Sequence, residues 1–161
     1  MAIMKLHGRN ALITGGSQGL GEAIAESFVR EGANVLLCAR DPARLALTSG
    51  RLQKLAAPGQ RVLARPCDVS SETQVNELVA FALAELGTLH VLVNNAGVYG
   101  PMGPTETVPM GEWQRAIEIN LYGVLLPCRA MIPHFKQSGR GKIVVLSGGD
   151  RKSTRLNSSH T

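Results

Sequence analysis

The fold class predicted by this sequence is α/β: a doubly wound parallel sheet held between two layers of helices. Three observations predict it. Five short apolar runs alternate with helical patterns along residues 1–149. The fourth run, Leu89–Val93, is uninterrupted apolar apart from the His90 ring, as a strand covered on both faces by helices is. A glycine-rich stretch, Thr14-Gly15-Gly16-Ser17-Gln18-Gly19-Leu20-Gly21, joins the first strand to the first helix. Strands alternating with helices imply right-handed crossovers and a three-layer α/β/α arrangement.

The elements follow in order. The first strand is Asn10–Thr14, and a helix from Gly19 to about Glu31 carries Leu20, Ile24 and Phe28 on one face. The second strand is Asn34–Ala39. Asp41-Pro42 then starts a helix, with proline in the first turn, that ends near Ala56 at Ala57-Pro58-Gly59. The third strand is Arg61–Cys67. Ser70 or Ser71 caps the next helix, whose stripe is Val75, Leu78, Val79, Ala82, Leu83 and Leu86 and whose closing residue is Gly87. After the fourth strand a Gly/Pro-rich loop, Gly97–Pro104, leads to a helix around Trp113. A longer helix runs from Asn120 to Gln137, with Pro127 and Pro133 expected to bend or interrupt it. The fifth strand is Lys142–Leu146.

Composition narrows the function classes. The chain has 161 residues, 44% hydrophobic and 4% aromatic, with 18 glycines, which suits one globular α/β domain. Its formal charge is +5, but Asp150, Arg151, Lys152 and Arg155 supply +2 of that, leaving +3 for residues 1–149. With no basic stripe interleaved with aromatics, a nucleic-acid partner is not expected. Cys38, Cys67 and Cys128 form no CxxC pair and the four histidines form no ligand-spaced cluster, so neither a disulfide framework nor a metal site is expected. No stretch is long and apolar enough to span a bilayer, and the amino terminus is not a secretory signal, so the expected location is cytoplasmic with no membrane partner.

Glycines in the first turn let backbone N–H groups and a helix N-terminus approach a pyrophosphate, with the helix dipole favouring the anion. Nucleotide choice is read further on, where a carboxylate about 20 residues past the glycines would accept from the ribose 2′-hydroxyl of NAD. That window holds Ala39 and Arg40. Arg40 offers a planar guanidinium suited to a 2′-phosphate, and Asp41 is expected to be engaged as a helix cap. The expected cofactor is therefore NADP, with NAD less favoured.

The glycine spacing is Gly-x-x-x-Gly-x-Gly. With Asn94-Asn95-Ala96-Gly97 ending the fourth strand, Asp68-Val69 after the third and Asn120 in Ile117-Glu118-Ile119-Asn120-Leu121, the chain resembles the short-chain dehydrogenase/reductase family over residues 5–149. The extended, epimerase-like branch of that family shortens the first glycine gap and fits less well. The resemblance implies a Rossmann-type domain and hydride transfer between a nicotinamide cofactor and an alcohol or carbonyl substrate, in a homo-oligomeric parent protein. It implies that Gly15, Ser17, Gly19, Leu20 and Gly21 form the phosphate turn, and that Asp68 and Val69 meet the adenine. Asn94, Ala96 and Gly97 would line the ribose and nicotinamide side, and Asn120 would hold a water of a proton relay. The structural alternatives are helix capping by Asp68 and strand ties by Asn94 or Asn95. The substrate-orienting serine falls at Ser147 or is replaced, since the second of the two small residues, where the family commonly has it, is Gly148.

The same resemblance exposes a departure. The family's proton donor is the tyrosine of a Tyr-x-x-x-Lys motif beyond the fifth strand. The two tyrosines here, Tyr99 and Tyr122, precede that strand, and neither has a lysine four positions on. The chain as written is thus expected to lack activity, and a non-catalytic dinucleotide-binding module is the alternative. Residues 150–160 resemble a translated sequencing adapter. Residues 1–149 are accordingly expected to form a C-terminally incomplete domain, residues 150–161 a non-native or disordered tail, and the fifth strand an exposed edge prone to aggregation.

Overall fold

A computed structural model of the chain describes residues 4–148. Its strands are β1 (Asn10–Thr14), β2 (Asn34–Ala39), β3 (Val62–Pro66), β4 (Val91–Asn94) and β5 (Lys142–Val145). They form one sheet in the order β3-β2-β1-β4-β5, and every pairing is parallel. Helices α1 (Gly19–Arg30), α2 (Pro42–Gln53), α3 (Glu72–Leu86), α4 (Met110–Ile117) and α5 (Gly123–Gln137) complete the layers, with a π-helical stretch at Glu118–Tyr122 between the last two. The expected doubly wound class is the observed one. Chain order reverses between β1 and β4, and ligands of such sheets bind outside the carboxyl ends of the strands at that point.

Alternate residues of the central strands feed two cores. Leu12, Leu36 and Leu92 pack with Leu78 of α3 and Met131 of α5, while Ile13, Leu37 and Val93 join a cluster with Val29 of α1 and Leu45 of α2. Both clusters are buried, so β1 is covered along its whole length. Register at the amino end of β1 is locked by polar groups. The Asn10 N–H donates to His90 Nδ1 at 2.9 Å, and Asn10 Nδ2 donates to the carbonyls of Leu86 and Thr88 at 3.1 and 2.8 Å.

Local capping chemistry places the helices. Asp41 Oδ1 accepts from the N–H groups of Ala43 and Arg44 at 3.0 and 3.1 Å, with Pro42 in the first turn. Ser71 accepts from the Gln74 N–H at 3.4 Å, and Gly87 ends α3 in the left-handed region at φ 73°.

Packing refines two readings of the helices. Of Leu20, Ile24 and Phe28, expected on one face of α1, Ile24 and Phe28 pack half-buried against the core and Leu20 is 60% exposed, while the fully buried residues are Gly21, Ala25 and Val29. Small residues at 21 and 25 let the helix settle close to the sheet, which turns the larger side chains to its flanks. Pro127 and Pro133 do not interrupt α5, which runs Gly123–Gln137 through both. Pro127 belongs to a buried four-residue stripe with Gly123, Met131 and Phe135, and that packing outweighs the lost backbone hydrogen bond.

β5 carries the apolar edge expected of it. Ile143, Val144 and Val145 are 39%, 42% and 49% exposed. Long apolar edges template pairing between chains. Val144→Lys should therefore raise the monomer fraction seen by size-exclusion chromatography without lowering the melting temperature. An unchanged monomer fraction would remove this edge as the cause of association. Residues 150–161, expected to form a tail, lie outside the described residues.

Candidate cofactor site

The carboxyl ends of β1 and β4 are tied by a compact polar network. Thr14 Oγ1 accepts from the N–H groups of Asn95 and Ala96, both at 3.1 Å. Asn95 Nδ2 donates to the carbonyls of Thr14 and Gly15 at 3.1 and 3.0 Å. The strand tie expected of Asn94 or Asn95 is thus made by Asn95. Asn94 is buried and donates to Cys128 Sγ at 3.3 Å, and its Oδ1 has no partner among the described residues. Thr14 is not among the residues to which the motifs point, because nothing local marks contacts that span some 80 residues of chain.

This network leaves a narrow slot for the glycine turn. A Cβ on Gly15 would lie 2.8 Å from Ala96 Cα, and one on Gly21 would lie 2.2 Å from the Gly15 carbonyl oxygen and 2.3 Å from Asn95 Nδ2. Gly19 differs. Its φ is +56°, and no atom stands within 4 Å of where its Cβ would be. Gly15 and Gly21 therefore close the turn against the sheet, while Gly19 opens it to an approaching group. The N-terminus of α1 faces the same opening, for Gln18 at its cap makes no side-chain bond to the first helical N–H groups. Unspent N–H groups and the positive end of the helix dipole fit a pyrophosphate. Ser17 is buried, with its carbonyl held by Thr48 Oγ1 at 2.9 Å, and Leu20 flanks the mouth in solvent.

Beyond the turn, a cleft of about 480 Å³ is lined by Arg40, Val98, Tyr99, Arg115 and Ile119 among others. Arg40 is exposed at the end of β2, and Asp41 beside it has Oδ1 engaged in the α2 cap, as expected. Arg44 reaches from α2 to donate to Gln18 of the glycine turn. Val69 is buried against the first residue of α5, where a Cβ on Gly123 would meet its Cγ2 at 2.7 Å.

Asn120 lies within the π-helical stretch that precedes α5. Its amide clamps the loop after β4: Oδ1 accepts from the Val98 N–H and Nδ2 donates to the Val98 carbonyl, each at 2.9 Å. Gly97 lies under that amide, 3.3 Å from Asn120 Oδ1 when a Cβ is built on it. Ser147 follows β5 and is exposed. The Leu146 N–H donates to the Asn94 carbonyl at 2.9 Å, so Ser147 emerges beside the Asn94–Gly97 segment. No hydrogen bond joins Ser147 to Asn120 among the described residues.

Asp68 is the most strongly perturbed carboxylate. Burial alone would push its carboxyl up, but bonds from the Ser70 hydroxyl, the Arg115 guanidinium and the Ser70 N–H hold it at about 2. Because the folded value lies below the ordinary 3.8, this group's stabilisation is complete above that pH and is lost as pH falls toward 2. Asp68→Asn should lower the melting temperature at neutral pH, and the two proteins' curves should converge near pH 2. Parallel curves at every pH would contradict the assignment.

The family model described as "short chain dehydrogenase" matches residues 9–156. The chain belongs to the short-chain dehydrogenase family. Among curated relatives, glucose 1-dehydrogenase of Gluconobacter oxydans is 38% identical over 141 residues, which is 87% of this chain and 52% of that protein. The chain spans about half the length of that relative and of L-fucose dehydrogenase of Bos taurus, and 11% of the glycine betaine reductase ATRR of Emericella nidulans. Among solved structures of the family, a metagenomic short-chain oxidoreductase in complex with NADP is 35% identical with a TM-score of 0.83, covering 89% of this chain and 64% of that one. A 7α-hydroxysteroid dehydrogenase complexed with NADH is 31% identical, also with a TM-score of 0.83, over 91% and 57%. Family members thus use either nicotinamide dinucleotide. No helix among the described residues is long and apolar enough to cross a membrane.

Proposed function

We propose that this chain supplies the cofactor-binding part of an NADP-dependent oxidoreductase acting on a small alcohol or carbonyl substrate. The observation that carries the reading is the glycine turn, closed at Gly15 and Gly21, open at Gly19, and set against the uncapped N-terminus of α1. Gly15, Ser17, Gly19, Leu20 and Gly21 hold the pyrophosphate. Asp68 and Val69 border the adenine, and Asn94, Ala96 and Gly97 border the nicotinamide ribose. When bound, the dinucleotide supplies or accepts a hydride. Asn120 fixes the loop under the nicotinamide and positions a proton-relay water, and Ser147 orients the substrate oxygen. A cytoplasmic location and assembly with copies of itself belong to the same reading. Leu121, Leu125 and Ile132, exposed along the π-helical stretch and α5, support the assembly.

Arg40 sets the choice of NADP over NAD. A charge-assisted pair with a 2′-phosphate is worth enough that Arg40→Ala should weaken NADP binding by about tenfold or more while leaving NAD unchanged. Calorimetric titration with both nucleotides checks this. Tighter NAD than NADP binding by the unmodified protein would overturn the choice.

A second reading is favoured by the sequence itself. Neither Tyr99 nor Tyr122 stands four residues before a lysine, so the chain as given holds no tyrosine–lysine acid/base pair of the family's spacing. It would then bind the dinucleotide without turning it over. Steady NADPH oxidation with a carbonyl substrate by the purified chain would exclude this second reading.

A further inference from the structure

The amino ends of the strands carry a chain of polar contacts that the cofactor site does not use. The Arg61 N–H, just before β3, donates to Asn34 Oδ1 at 2.7 Å, and Asn34 Nδ2 donates to Asn10 Oδ1 at 2.8 Å. Asn10 then meets His90 twice. The His90 N–H donates to the Asn10 carbonyl and the Asn10 N–H donates to His90 Nδ1, both at 2.9 Å. The His90 carbonyl accepts from the Lys142 N–H at 2.9 Å, so the contacts reach from β3 to β5. At their centre a ring nitrogen takes the place of a strand carbonyl as acceptor.

That replacement makes the joint depend on the charge of one ring. A neutral imidazole offers one acceptor nitrogen, and a protonated one offers none. Asn10 is 6% exposed, so a proton on Nδ1 leaves its N–H without a partner and out of reach of solvent. The groups facing the ring oppose the added charge. They are Arg9 ahead of β1, Arg140 ahead of β5 and His134 of α5, with Lys142 next along β5 and no carboxylate among them. Burial first, then these cations, hold the His90 pKa below its ordinary 6.5. A base depressed in this way stabilises the fold in full above 6.5, and that contribution is lost as pH falls through the folded value. His134 is placed differently. Its Nε2 accepts from the Leu89 N–H at 3.1 Å but also lies 3.3 Å from the Leu89 carbonyl and 3.2 Å from Thr88 Oγ1, so a proton there finds acceptors at once.

We propose that His90 is an acid-sensitive latch on the central strand: its neutral ring holds the amino end of β1 against the entry to β4, and protonation in mildly acid solution releases it. β1 runs into the glycine turn, so release loosens the footing of that turn. The latch lies at the opposite end of the sheet from the cofactor site and does not depend on what that site binds.

The test follows thermal unfolding of the full 161-residue chain and two variants from about pH 7.5 to about pH 5. His90→Asn sets an amide oxygen near the place of Nδ1 and cannot titrate, whereas His90→Leu fills the space without an acceptor. Over this range the melting temperature of the unmodified chain should fall by about 2–4 °C more than that of His90→Asn. His90→Leu should melt low at both ends of the range. In the unmodified chain the exchange protection of the Asn10 amide, corrected for the intrinsic rate at each pH, should drop about fivefold relative to the Leu37 amide of β2. Equal pH dependence in the unmodified chain and His90→Asn would overturn the proposal. So would Asn10 protection that keeps step with Leu37 throughout. If His90→Asn fails to fold at the upper pH, the Asn10 amide of the unmodified chain decides.

Discussion

Gly21→Ala should destabilise the chain by about 3 kcal/mol, toward the upper range for forcing a methyl into a filled site. The methyl would lie 2.2 Å from the Gly15 carbonyl oxygen and 2.3 Å from Asn95 Nδ2. Neither neighbour can yield. One is backbone, and the other is fixed by bonds to the Thr14 and Gly15 carbonyls. Helix α1 must therefore lift from the sheet, and the phosphate turn moves with it. The melting temperature should fall by roughly 6–12 °C for a chain of this size, and nucleotide binding should vanish. Gly19→Ala is the informative partner. The space there is open and only the left-handed backbone is strained, so the stability loss should be about 1–2 kcal/mol. Its methyl projects where the pyrophosphate approaches, so affinity should still drop. Equal stability losses at the two positions would contradict the division of the turn into a closed and an open side.

The second large effect belongs to Thr14→Val. Valine keeps the shape but removes the acceptor that serves the N–H groups of Asn95 and Ala96, each 3.1 Å from Oγ1. Two backbone donors lose their partner beside a fully buried residue, at a cost of about 1–3 kcal/mol each. Thr14→Ser restores the oxygen and should recover most of that loss. Chemical denaturation of the three proteins measures it. If serine were as damaging as valine, the cost would lie in the lost methyl, and the β1–β4 tie would not be what holds the site together.

What could be read from the sequence was what local chemistry writes. Asp41 and Ser71 cap helices because short acceptors reach N–H groups two or three residues on, and Gly87 ends α3 because glycine tolerates its φ. The strand–helix alternation and the glycine turn were legible for the same reason, and Asn120 was located through its motif. The rest depends on contacts between distant segments. The buried face of α1 turned on Gly21 and Ala25 fitting against the sheet, which the Leu20-Ile24-Phe28 periodicity does not encode. Pro127 passes as a core residue of α5 because tertiary packing overrides its propensity. The partnership of Arg115 with Asp68 spans 47 residues, and that of Thr14 with Ala96 spans 82, with nothing at either end of the sequence to announce it.

Titrating the purified chain with NADP by isothermal calorimetry tests the central claim most directly. A saturable, one-to-one heat with a dissociation constant in the micromolar range is expected from a pre-formed phosphate turn and an Arg40-bearing cleft. A chain that melts cooperatively yet shows no saturable heat at millimolar nucleotide would contradict the claim that Gly15–Gly21 and the N-terminus of α1 form a dinucleotide site.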